Sequence, residues 1–115
     1  MLPSNVFKRS EFACRCRCGK DTVDAELLQV LHVVRHFYNA PVTITSGHRC
    51  EKHNRSVGGA GGSMHLVGKA ADIIVEGVEP QDVYEYLCSQ YPYCYGIGNY
   101  KRWTHIDVRQ DKARW

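Results

Sequence analysis

Two histidines and an aspartate pose the first chemical question. Asp72 sits inside the apolar run AADIIV at 70–75, seven residues after His65 in the stretch SMHLVGKAADIIV. A carboxylate buried without a partner costs several kcal/mol, so this run needs a cation nearby, either a metal ion or an arginine. His65 and Asp72 are too far apart for the i, i+4 ligand pair of a single helix. Gly68 between them permits a turn, so a histidine on a loop and an aspartate in a strand can converge on one point. A third ligand comes from WTHIDVR at 103–109, where period-two alternation points His105 and Asp107 to the same face. Three protein ligands and one open position are the pattern of a catalytic zinc. An ion held by His65, Asp72 and His105 would polarise a carbonyl and lower the pKa of water towards about 7. Taken singly, the residues have blander readings: a solvated loop histidine, a satisfied sheet histidine, and an aspartate paired with Arg49 or Lys69.

The six cysteines form a second group. Cys14, Cys16 and Cys18 alternate with arginine in FACRCRCGK, a spacing that places them on one side of an extended segment. Cys50 and His53 in HRCEKHN form a C-x-x-H that could complete a Cys-rich zinc site with two of those three. The alternative is a set of small buried or free thiols. Cys88 and Cys94 read as packing residues on a helix and the strand after it.

These groups must be positioned by a small chain. Its 115 residues suffice for one domain, 1–115, with a single modest core. Residues 23–38 carry apolar side chains at 27, 30, 31, 34, 37 and 38, which predicts one long helix with Asp21 and Thr22 as caps. His32 and His36 on that helix imitate a metal pair and are assigned to its surface or edge. VTITS reads as a strand ending at Ser46-Gly47, and SVGGAGGS at 56–63, with four glycines in eight positions, reads as a loop. A strand follows at 70–75, then a helix from Pro80 to about Tyr91 with proline in its first turn. Two short strands, CYGIGNY and WTHIDVR, complete the pattern. Strands and helices do not alternate in βαβ fashion, so the expected fold is α+β, a small, mainly antiparallel sheet packed against helices.

Bulk properties narrow the functional classes. The net charge of +3 is scattered rather than clustered, which argues against a nucleic-acid partner. No run approaches the ~18 apolar residues of a membrane span, and MLPSNVFKRSEF has no apolar signal core. The expectation is a monomer made in the cytoplasm without a signal peptide, where structural disulfides are disfavoured.

The stretches SGHRC at 46–50, SMHLVGKAAD at 63–72 and GIGNY with THIDVR at 96–109 resemble the zinc D-Ala-D-Ala carboxypeptidase family of peptidoglycan peptidases, the M15-type enzymes. They are most similar to its small phage and prophage members. The resemblance spans nearly the whole chain. It implies a zinc site of the hedgehog and D-Ala-D-Ala-peptidase kind, with His65, Asp72 and His105 as ligands. It also implies that Arg49 holds the substrate carbonyl or developing oxyanion, and that Ser63 contributes to substrate contacts. Several relatives, including the vancomycin-resistance dipeptidases, carry an acidic general base three residues before the last histidine, where this chain has Arg102. An arginine cannot serve as that base. Asp107 is therefore the candidate base, with His48 and His53 behind it, and its alternative role is to orient a ligand histidine or pair with Arg109. The glycine-rich loop 58–62 is expected to wall the cleft, with Tyr95, Tyr100 and Trp103 contacting the stem peptide. The implied activity is zinc-dependent hydrolysis of a peptidoglycan peptide bond involving D-alanine or another D-residue, by an endolysin-like protein acting on the cell wall. The competing reading is a zinc-containing binding module without turnover, as in hedgehog signalling domains.

Overall fold

The long helix starts where Asp24, in extended backbone, turns its carboxylate back onto the amides of Glu26 and Leu27. In the computed structural model, which describes residues 7–115, this helix, α1, spans Ala25–Tyr38. The cap is therefore Asp24 rather than Asp21 or Thr22. Leu27, Val30, Leu31 and Val34 are buried as the periodicity predicts. Phe37 departs from it: it lies outside the core, stacked on Tyr86 at 4.0 Å. His32 departs in the other direction, since Phe7 packs over it at 5.4 Å and buries it. Asn39 then ends the helix in the left-handed conformation.

After β1 (Val42–Ser46) comes a short helix, α2 (Glu51–Ser56), for which the sequence pattern gives no element. The remaining elements are β2 (Ala70–Val75), α3 (Pro80–Gln90), β3 (Gly96–Asn99), β4 (Thr104–Asp107) and β5 (Ala113–Arg114), the last also unforeseen. The sheet order is β1-β2-β4-β3-β5, antiparallel throughout except for the parallel β3–β5 pair. This is the expected α+β arrangement, with one edge of mixed direction. The segment read for a signal peptide begins with residues 1–6, which lie outside the described residues. No helix among the described residues is long and apolar enough to cross a membrane.

Strand alternation gives the sheet two unlike faces. Ala71, Ile73, Val75, Ile97 and Ile106 join Leu27, Val30, Leu31, Val34, Val83 and Leu87 in the apolar core. Residues of the other parity include Asp72, His105 and Asp107, and all three are nonetheless buried. A polar, buried second face needs its own hydrogen-bond partners and a cover. A 3-10 turn, Met64–Val67, packs against β2 and against α2 and supplies part of that cover.

The return from this turn into β2 depends on Gly68. Its φ is 72°, and a Cβ there would meet the Thr22 carbonyl oxygen at 2.7 Å. Gly68→Ala should therefore destabilise the fold by about 1–2 kcal/mol from backbone conformation, with the clash added. Chemical denaturation checks this; an unchanged midpoint would refute it.

Candidate metal centre and cleft

Asp72 of β2 lies directly opposite His105 of β4 in the antiparallel register, so both side chains share one face. The third member arrives by a different route. Ser63 caps the 3-10 turn by accepting the amide of His65, and the turn sets the His65 ring over the sheet. His65 Nδ1 donates to the Gly47 carbonyl at 2.7 Å, which leaves Nε2 as the lone-pair nitrogen. That Nε2 is buried, 3.5 Å from Asp72 Oδ1, and has no hydrogen-bond partner. His105 is fixed in the opposite tautomeric sense: Nε2 donates to Asp107 Oδ2 at 2.7 Å, and Nδ1 faces Asp72 Oδ1 at 3.1 Å.

One ligand atom from each of His65, Asp72 and His105 lies within 4.8 Å of the others. Three electron-rich atoms converging in a buried space repel unless a cation lies among them. Without a metal, a proton on His105 is favoured there. Burial pulls His105 down, but hydrogen bonds to Asp107 and Asp72 outweigh it and raise its pKa. Burial likewise pushes Asp72 up, yet the histidines bring it down to about 2. The donor set of two imidazoles and a carboxylate suits zinc, and metal would enter by displacing that proton.

Arg49 is the second cation that Asp72 meets. It donates through Nε to Ser46 Oγ at 3.0 Å, through NH1 to Asn54 Oδ1 at 3.2 Å, and through NH2 to Asp72 Oδ2 at 3.4 Å. Asn54 is in turn held by the Ala60 carbonyl at 2.8 Å. The guanidinium is thereby held beside the three ligand atoms by partners on both sides. It lines a cleft of about 570 Å³ together with His65, Asp72 and His105.

The cleft wall includes Gly58, Gly59, Ala60 and Gly62 of the glycine-rich loop, and Ser63, Tyr100 and Trp103 lie along it. Tyr100 and Trp103 stack on each other, with ring centroids 4.8 Å apart. Tyr95 does not reach the cleft; it is buried and donates to Glu26 Oε2 at 2.5 Å. Val57, Arg109 and Trp115 also line the cleft and escaped the sequence reading. Trp115 donates through its indole to Tyr100 Oη at 2.8 Å and sits 5.0 Å from the His105 ring, and Arg109 lies under it. The indole fits because residue 98 is glycine: a Cβ there would meet Trp115 Nε1 at 2.5 Å.

Asp107, the candidate base, does not line the cleft and accepts from His105 Nε2 at 2.7 Å, an orienting placement. It is fully buried behind His105, away from the cleft, and both its oxygens are engaged. Arg109 binds it through Nε at 2.8 Å and NH2 at 2.7 Å, and the Gly96 amide adds a bond at 3.1 Å. Burial pushes its carboxyl up, but bonds from His105 and Arg109 hold it well below the usual carboxylate range. The reserve bases fare no better. His48 Nδ1 already accepts the Thr22 amide at 2.9 Å, and neither His48 nor His53 lines the cleft. Among the described residues, Asp72 is the only carboxylate in that lining.

A family model described as Peptidase M15 matches residues 5–107 of the chain. No curated protein sequence matches the chain.

Proposed function

The chain belongs to the Peptidase M15 family, and from that premise we propose that it is a zinc-dependent hydrolase of peptide bonds in bacterial peptidoglycan. The buried, partnerless Nε2 of His65 beside Asp72 and His105 supports this reading most strongly. His65, Asp72 and His105 would hold the ion. Zinc bound there supplies Lewis acidity, polarising the scissile carbonyl and making water a better nucleophile at neutral pH.

The remaining steps fall to the chain's own groups. Arg49, fixed by Ser46 and Asn54, is aimed to steady the negative charge that develops on the carbonyl oxygen. Asp107 keeps His105 in the tautomer whose Nδ1 lone pair faces the site. The stacked Tyr100 and Trp103 and the rim hydroxyl of Ser63 offer an apolar wall and a polar contact for a stem peptide. The bond cut is one to D-alanine or another D-residue, by carboxypeptidase or endopeptidase action. The protein works as a monomer on the cell wall in the manner of a phage endolysin.

The absence from the cleft, among the described residues, of any carboxylate other than Asp72 favours a second reading, a zinc-containing wall-binding module without turnover. Incubation with purified peptidoglycan and mass spectrometry of released muropeptides separates the two. Hydrolysis predicts new amine ends that a chelator suppresses. Tight sacculus binding with no new ends would sink the peptidase reading and leave the module.

A further inference from the structure

We propose that Cys14, Cys16, Cys18 and Cys50 hold a second, structural zinc ion as a tetrathiolate, apart from the cleft. The four sulfurs lie within 4.8 Å of one another. The Cys14–Cys16, Cys16–Cys50 and Cys14–Cys50 separations are 3.4, 3.5 and 3.8 Å. Sulfurs at ~2.3 Å from a tetrahedral zinc are ~3.8 Å apart, so these spacings match the edges of such a site. They are far longer than a disulfide bond of ~2.05 Å, and all six cysteines are free. A group this tight leaves room for one ion, not for an iron–sulfur cluster.

The local fold brings the sulfurs together in a way that strand alternation does not. Residues 14–18 are a turn rather than an extended segment: the Arg17 amide bonds the Cys14 carbonyl at 3.0 Å, and Arg17 adopts a φ of 65°. A non-glycine residue in that region costs about 1–2 kcal/mol, a cost that four metal–sulfur bonds readily offset. The Cys50 amide points at Cys14 Sγ and the His53 amide at Cys50 Sγ, both at 3.4 Å, contacts that favour thiolates. His53 thus serves through its backbone, and Cys18 takes the place that C-x-x-H spacing assigned to its ring.

Charge and topology agree. Four thiols lose four protons on binding zinc and leave a net charge of about −2, interleaved here with Arg15 and Arg17 and followed by Lys20. Arg15 also ties the turn to β1 through the Ile44 carbonyl at 2.6 Å. The ion would staple the segment at 7–20 to residue 50, next to the cleft arginine.

The test is spectroscopic and uses the full chain, reduced and loaded with cobalt(II) or zinc. Cobalt should give an intense thiolate-to-metal charge-transfer band, and zinc should cut readily titrated thiols from six to two, leaving Cys88 and Cys94. Absence of the band, or six thiols equally reactive with and without zinc, overturns the proposal, as would iron with acid-labile sulfide at this site. The exposed pair Cys16→Ser/Cys18→Ser should lose the band and bind one zinc ion fewer per chain than the wild type; a band unchanged in that variant also overturns it. Because no readout is peptidase activity, the result stands independently of the cleft chemistry.

Discussion

Replacing His65 by alanine is expected to empty the cleft of zinc and to lower peptidoglycan hydrolysis by about 10³-fold or more. Metal assistance is worth several kcal/mol, and ~1.4 kcal/mol is a factor of ten in rate. His65 is 2% exposed and its Nε2 has no partner within the protein, so alanine removes the ligand atom without breaking another protein contact at that nitrogen. The Gly47 carbonyl does lose its Nδ1 donor, which costs ~1–3 kcal/mol of stability if water cannot replace it. Circular dichroism therefore accompanies the assay, and His105→Ala supplies an independent variant from the sheet side. Both should lose one metal ion per chain while retaining any thiolate-bound ion. Stoichiometric zinc in the cleft of both variants would refute the ligand assignment.

What made these three residues findable was chemical type and order along the chain. How they meet was not legible. Asp72 faces His105 because β2 and β4 pair in one particular register, and a shift of one residue would send either side chain to the opposite face. Local periodicity contains no register. The same limit explains Asp107: alternation correctly puts it on the face of His105, but only three-dimensional packing shows Arg109 binding both its oxygens. The glycines of GIGNY acquire their reason late as well. Gly98 leaves space for Trp115, and Gly96, opposite Asp107, lets the backbone amide reach its carboxylate. β5 is two residues long, too short to register as a pattern, yet it carries the chain to Trp115 at the cleft rim. His32 was misplaced because a polar residue on a helix is assigned to solvent by type, and Phe7, distant in sequence, covers it.

Asp107→Asn is the variant that separates a positioning role from a proton-transfer role. Asparagine keeps the shape of the side chain but can present an amide instead of an acceptor to His105 Nε2, weakening its hold on the ligand tautomer. Outer partners of this kind are worth about 10–100-fold in metal affinity. The expected result is zinc binding weakened by that factor, with hydrolysis largely restored when zinc is raised to saturation. A base lost to substitution would leave activity low at any zinc concentration, so persistent loss at full occupancy would overturn the positioning role. Asp107→Ala should be harsher, ~3–5 kcal/mol less stable, because the Arg109 guanidinium and His105 lose a fully buried counter-charge. Acid titration supplies an independent check on the metal-free protein. A carboxyl whose folded pKa lies below its unfolded value stabilises the fold above about pH 4, and that contribution fades as pH falls towards the folded value. The wild type should therefore lose stability more steeply than Asp107→Asn on acidification below about pH 4; parallel curves would mean that the buried Asp107 carboxylate is not what its two cationic neighbours hold in place.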